Sequence, residues 1–229
     1  MEGSALKLDD VRFRWQGRES FGLYVPGLQM GRGESVLLLG ESGSGKSTLL
    51  SLICGIVTAD SGRVEVGGTD LSTLRAGARD RFRAEQIGVI FQQFNLLPYA
   101  SVSDNILLPL RFAPERRKRT APDEVATLCA ALGLPDGITC ASAGRLSVGQ
   151  QQRVAVARAL IGQPSLIIAD EPTSALDAAT QHTFLSLLFD RMAATQCSLL
   201  MVSHDERLGA RFDRVVRLSD IARTDRMAA

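Results

Sequence analysis

The stretch Ser35-Val36-Leu37-Leu38-Leu39-Gly40-Glu41-Ser42-Gly43-Ser44-Gly45-Lys46-Ser47-Thr48 decides the fold. Its first five residues form a short apolar run, the pattern of a strand buried on both faces. The next eight fit G-x-x-x-x-G-K-[ST] at every fixed position. From Ser47 to Ile56 apolar residues recur at helical spacing, and the pattern ends near Gly55. Strand, glycine loop and helix in that order suit a phosphate. Glycines permit positive φ and let the backbone close around an anion. Successive N–H groups make an anion nest, and the helix beginning near Lys46 adds the positive end of its dipole. Lys46 is expected at the β- and γ-phosphates of a nucleotide, and Ser47 is expected to offer its hydroxyl to Mg2+. A plain glycine turn is the alternative, but it gives no reason for Lys-Ser at its end.

Outward from this loop the chain keeps alternating. Residues 5–8 and 11–15 read as two short half-buried strands, punctuated by Gly17 and by Pro26-Gly27. Ser61 to Gly68 reads as a hairpin strand, 71–85 as a polar surface helix and Ile87 to Phe91 as a strand. From 92 to 165 Pro98, Pro109, Pro114, Pro122 and Pro135 separate short helical patterns. Glu115 to Arg119 is expected to be a solvated charged loop. Leu166 to Ala169 returns to a buried strand. Ala178 to Met192 follows as an amphipathic helix, with strands at Ser198–Val202 and Val215–Leu218. Strands alternating with helices imply an α/β fold with a mostly parallel sheet.

Composition narrows the classes. The chain has 229 residues, 45% hydrophobic, with 26 basic and 25 acidic side chains and a net charge of +1. That balance argues against a dedicated nucleic-acid binder. No apolar run reaches the roughly eighteen residues of a membrane helix, and the first residues carry no signal-like apolar core. A soluble intracellular chain is expected, reaching a membrane only through a partner. Cys54, Cys129, Cys140 and Cys197 form no C-x-x-C pair, and His182 and His204 lie near none of them. Neither a disulfide framework nor a zinc site is expected.

Two further motifs bear on chemistry. Asp170 closes the run Leu166-Ile167-Ile168-Ala169 at a strand end, where open α/β sheets place their ligands. There it suits Mg2+, and the adjacent Glu171 suits an attacking water. Ser147 with Gln150 three residues on has the form of a capping box. It opens a helix that runs to about Ile161 and is stopped by Gly162 and Pro164. A serine hydroxyl and a bare glycine, Gly149, at a helix N-terminus suit a second anion site; for S-x-x-Q alone one more well-capped helix is the better reading, and the whole string is more specific.

On these residues the chain resembles the nucleotide-binding subunit of ATP-binding cassette (ABC) transporters, from about residue 5 to 218. Gly40 to Thr48 matches the Walker A motif. Leu146-Ser147-Val148-Gly149-Gln150-Gln151-Gln152-Arg153 resembles the signature, and Leu166 to Glu171 the Walker B motif. Ser174-Ala175-Leu176-Asp177 matches the D-loop, His204 the switch histidine and Gln92 the Q-loop glutamine. Trp15 stands where the family puts an aromatic that stacks on adenine, with Phe13 as the fallback.

The resemblance implies a P-loop NTPase (RecA-like) core with an N-terminal antiparallel β-lobe and an inserted α-helical lobe. The core with its β-lobe would be 1–91 and 166–229, and the signature lobe 92–165. ATP would be held by Trp15 and by Gly40, Glu41, Ser42, Gly43, Ser44, Gly45, Lys46, Ser47 and Thr48. Mg2+ would be held by Ser47, Gln92 and Asp170. Glu171, His204 and Gln92 would serve hydrolysis. Ser147, Val148, Gly149 and Gln150 would act on the ATP of a second copy in a head-to-tail homodimer, with Asp177 at the seam. Two departures stand out. Val148 replaces the usual glycine, and Leu218-Ser219-Asp220-Ile221 replaces a D-G hairpin, so a shortened final strand pair is expected.

Phe91-Gln92-Gln93-Phe94-Asn95-Leu96-Leu97-Pro98, followed by Ser101-Val102 and Asn105-Ile106, resembles the lipoprotein-release and macrolide-export group. That group implies an ATPase subunit at the cytoplasmic face of the inner membrane, driving a separate permease. Phe94, Leu96, Leu97 and Tyr99 are candidates for gripping that partner, with the core of the helical lobe as the alternative. A soluble ABC ATPase without a transport role, or a cell-division regulator, is the runner-up. A small-metabolite kinase would have no use for the signature, D-loop and switch histidine together.

Overall fold

The computed structural model describes residues 3–16, 20–41, 43–174, 176 and 178–227. In chain order its elements begin with β1 (Ser4–Trp15), β2 (Ser20–Gly31), β3 (Ser35–Leu39), α1 (Lys46–Ile53), β4 (Ser61–Val66) and β5 (Thr69–Asp70). Then come α2 (Ala76–Gln86), β6 (Ile87–Ile90), α3 (Val102–Leu107), α4 (Pro114–Arg119), α5 (Glu124–Ala131) and α6 (Val148–Leu160). The chain ends with β7 (Leu166–Asp170), α7 (Ala178–Thr195), β8 (Ser198–Ser203), β9 (Arg214–Arg217), α8 (Leu218–Ile221) and β10 (Arg223–Met227). These form two compact units, residues up to 83 with those from 198 onward, and residues 84–197. No helix among the described residues is long and apolar enough to cross a membrane.

The first unit holds an antiparallel sheet in the order β10-β2-β1-β4-β5. The two strands expected before residue 16 are one strand, β1, with an irregularity at Asp10, whose φ is 47°. Its register with β4 shifts between Asp9 and Arg12, as a bulge does. Gly62 lies so close that a Cβ there would stand 2.2 Å from the Asp10 carbonyl oxygen, so only glycine fits. Pro26, expected to break the chain, sits inside β2. β10 pairs only with Ser20–Tyr24 of β2, so Pro26 lies on an open edge where no N–H is required. The C-terminal departure also resolves differently from expectation. α8 takes the place of a hairpin, and β10 still returns to the sheet over five residues.

In the same unit β3 lies parallel between β8 and β9. All five of its residues are buried, as a strand covered on both faces requires. Leu39 is level with Ser203 and with Arg217, so the glycine loop, His204 and Leu218 leave the sheet at one end. At the other end Asp213 accepts from the Ser35 N–H at 2.8 Å and from its hydroxyl at 2.7 Å. These bonds hold the Asp213 carboxyl below the usual carboxylate range.

The second unit pairs β6 with β7 in parallel and is otherwise helical. A Cβ on Gly88 would lie 2.2 Å from the Ala159 carbonyl oxygen, so α6 packs directly on β6. The region 115–119 is not a solvated loop. It is the helix α4, and Arg116 within it is 1% exposed. Its guanidinium donates to the carbonyls of Ile161 (2.7 Å), Ala159 (2.7 Å), Ala84 (2.9 Å) and Ile87 (3.4 Å). The planar fork of donors suits carbonyls left unpaired where α6 ends, which is why a cation is buried in a run that reads as solvent-facing. Buried Glu85 complements it, accepting from the Glu115 and Arg116 N–H groups at 2.9 and 2.8 Å. Burial lowers the Arg116 pKa to about 10, which leaves a full cation at neutral pH.

Candidate active site

In the first unit the loop after β3 is shaped by Gly43 and Gly45, with φ of 74° and 94°. Gly45 is the residue preceding α1, and a Cβ there would come within 2.7 Å of the Phe21 ring. The loop therefore needs glycine for its backbone and for its space. Lys46 opens α1, and its ammonium donates to the carbonyls of Gly40 at 2.8 Å and Glu41 at 3.1 Å. The side chain is 9% exposed, so it runs along the inside of the loop rather than into solvent. Ser44 closes the turn, its hydroxyl donating to the Glu41 carbonyl at 2.8 Å. Ser42 lies outside the described residues.

Trp15, at the end of β1, donates its indole N–H to the Thr48 hydroxyl at 3.1 Å. Its ring is 43% exposed and meets the buried Phe13 ring edge-on at 5.0 Å. Of the two aromatics, Trp15 is the one with an open face beside the loop. His204 follows β8, and with Gly40, Glu41, Ser44 and Leu218 it lines a cavity of about 520 Å3. Glu206 and Arg217 line it too, paired with each other at 2.6 Å.

In the second unit Asp170 ends β7, and Glu171 begins a turn with φ of 44°. That left-handed conformation costs a non-glycine residue on the order of 1 kcal/mol. Gln92 is exposed, in the turn after β6 that is closed by the Phe94 N–H on the Phe91 carbonyl at 3.0 Å. Ser147 accepts from the Gln150 N–H at 3.3 Å, and the Gln150 side chain accepts from the Ser147 N–H at 3.0 Å. The capping box is thus formed. Val148 is the first helical residue, 56% exposed, in ordinary helical conformation. Its position needs no glycine backbone. Asp177 lies outside the described residues.

One expectation is corrected. Phe94 is 7% exposed, a core residue, while Tyr99 is 81% exposed and Leu96 and Leu97 are half-buried. The Phe94 carbonyl accepts from the buried Arg158 guanidinium, which pins the backbone in a turn that keeps the ring inside.

Three buried polar residues make bonds that no motif announces. Gln152 is 1% exposed and donates to the Pro172 carbonyl at 2.8 Å. Arg158, 6% exposed, donates to the carbonyls of Asn95, at 2.7 Å, and Phe94. Asn105 is fully buried; it accepts from the Leu97 N–H at 2.7 Å and donates to the Leu97 carbonyl at 3.1 Å. The available signal was patterning. Gln152 shares a helix face with buried Ala155, Val156 and Ala159, and a polar residue on an apolar face must have a partner.

Buried strand, glycine loop and inward lysine define a P-loop nucleotide-binding protein. The family model for the ABC transporter matches residues 26–174. The lipoprotein-releasing system ATP-binding protein LolD of Porphyromonas gingivalis is 37% identical over 89% of this chain and 94% of its own. The ABC transporter ATP-binding protein YbbA of Escherichia coli K12 is 41% identical over 82% and 81%. The macrolide export ATP-binding/permease protein MacB of Rhodopirellula baltica is 40% identical over 84% of this chain, which spans 28% of that protein's length. Among solved structures, the dimeric cassette MJ0796 bound to ADP and Pi is 32% identical over 93% of both chains, with a TM-score of 0.76. The cassette cbiO1 of Clostridium perfringens is 27% identical over 94% and 85%, with a TM-score of 0.77. The chain belongs to the ABC transporter family, as an ATP-binding cassette.

Proposed function

We propose that this chain binds and hydrolyses ATP, dimerises head to tail on it, and drives a separate membrane permease of the mechanotransmission or export type. The observation that carries this is a pair of features suited to phosphate on one chain. One is the Lys46 loop; the other is the exposed, Ser147-capped N-terminus of α6. A single-site kinase needs only the first. Two copies related by a two-fold axis can place the α6 N-terminus of each against the nucleotide of the other.

In this reading the glycine-loop amides and Lys46 bind the phosphates, and Trp15 stacks on the base. Glu171 orients and polarises the water whose oxygen bonds to the γ-phosphorus as the bridging β–γ oxygen leaves. His204 hydrogen-bonds the γ-phosphate. Ser47, Asp170 and Gln92 offer only oxygen ligands, which fits a hard cation such as Mg2+. The ion would neutralise charge developing on the phosphates. The names of the LolD and MacB relatives support a membrane partner and a peripheral place at the membrane. Exposed Tyr99 is the contact we assign to that partner.

Glu171→Gln tests the reading. With ATP and Mg2+ the variant should shift from monomer to dimer on sizing chromatography and retain two ATP molecules per dimer. A variant that binds ATP yet stays monomeric at high concentration would refute the head-to-tail arrangement.

A further inference from the structure

The second unit contains three segments to which the proposed function assigns roles: the Ser147 cap, the turn at Glu171 and the turn at Gln92. One helix touches all three. α6 begins at the Ser147 cap. Near its first turn the fully buried Gln152 amide donates at 2.8 Å to the carbonyl of Pro172, the residue after Glu171. Near its last turn the buried Arg158 guanidinium holds the Phe94 and Asn95 carbonyls, two and three residues after Gln92. From Ser147 to Arg158 the helix rises roughly 16 Å as one uninterrupted piece.

The two contacted segments need holding. Glu171, Phe94 and Asn95 all have positive φ, at 44°, 57° and 47°, a region uncommon for residues with side chains, though asparagine enters it readily and glutamate and phenylalanine do not. Each is followed by, or itself presents, a carbonyl bonded to α6. The Gln92 segment is gripped again by Asn105 at Leu97.

We infer that Gln152 and Arg158 are positioning residues, through which α6 sets the placement of Glu171 and Gln92. Movement of the Ser147 end on a second subunit's nucleotide would then reach both hydrolytic side chains of its own subunit through rigid contacts. The inference rests on the roles assigned above to Glu171 and Gln92.

Double-mutant cycles on the full chain test it, with ATP and Mg2+ as the probes. Arg158→Lys keeps the charge but cannot serve two carbonyls with a planar fork. Gln152→Met keeps the volume and removes the donor. Each should lower kcat about tenfold while ATP affinity, measured by fluorescent-nucleotide binding, changes less than twofold. Arg158→Lys should also raise the Mg2+ concentration needed for half-maximal rate. In a Gln92→Ala background Arg158→Lys should cost no further rate, and in a Glu171→Asp background, which keeps a carboxylate and a measurable rate, Gln152→Met should cost little.

Full additional losses in the double variants, or losses of kcat matched by losses of ATP affinity, would overturn the inference alone. If Gln92→Ala and Glu171→Gln were themselves fully active, the assigned roles would fail and the inference with them. Should Arg158→Lys not fold, Arg158→Gln, with one uncharged donor amide, gives the same comparison.

Discussion

Lys46 is held by two carbonyls of the loop it serves, so its removal subtracts a charge without opening the core. Lys46→Ala should keep the circular dichroism spectrum and lose roughly a hundredfold or more of the ATPase rate, in line with deleting one electrostatic stabiliser. A rate within twofold of the parent would show that the loop does not bind the reacting phosphates. Trp15 makes a separate prediction. Base stacking on an aromatic is worth about 1–3 kcal/mol, so Trp15→Ala should weaken ATP binding roughly five- to a hundredfold with little change in kcat. Trp15→Phe should recover most of that, because it loses the bond to Thr48 but keeps a π-face. At this scale the sequence was informative wherever a motif fixes the residue type. Lys46, Glu171 and His204 could be singled out because each has a fixed place in a motif. Phe94 could not be placed, since nothing in its neighbours announces the Arg158 bond that turns it inward.

Among the elements, α4 depends most on one side chain. Arg116→Met leaves carbonyls at Ile161, Ala159 and Ala84 without their donor. Unpaired buried acceptors of this kind should cost on the order of 3 kcal/mol in total. For a chain of this size that lowers Tm by roughly 6–12 °C in a melting experiment. A shift under 2 °C would show that water reaches these carbonyls freely. The start of β3 offers a pH signature. Asp213 has its carboxyl lowered by two bonds from Ser35. Its contribution is fully present above the ordinary value of 3.8 and fades as pH falls through the lowered folded value. Asp213→Asn should therefore be slightly less stable than the parent at pH 7, with the gap closing below about pH 4. A gap that stays constant into acid would exclude the carboxylate as its source. The elements themselves were largely legible, because apolar runs and 3.6-residue periodicity mark strands and helices locally. α4 was not, since a helix of six residues carrying four cations has no apolar stripe to reveal it. The continuous β1 was missed for a related reason: a bulge at Asp10 interrupts the alternation that would have joined its halves.

For the molecule as a whole, thiol chemistry gives a compact test of the packing. Cys54, Cys129 and Cys197 are buried and Cys140 is exposed. Burial pushes the Cys197 thiol up to about 12 and raises Cys129 as well. A thiol reagent at pH 8 should label Cys140 at once and the other three only on unfolding. Rapid labelling of more than one site in the folded protein would contradict this core. The parallel order of β3, β8 and β9 was implied by alternating elements, but the division of the chain was harder to foresee, because pairing partners far apart in sequence leave no local trace. That separation has a consequence for synthesis. β3 is complete at Leu39, while its partners β8 and β9 begin at Ser198 and Arg214. At about 5–20 residues per second, roughly 160 residues of translation leave this apolar strand waiting some 8–30 seconds for its first neighbour. A nascent chain of this protein should therefore engage ribosome-associated chaperones through residues 35–39 until β8, from Ser198 to Ser203, has been synthesised.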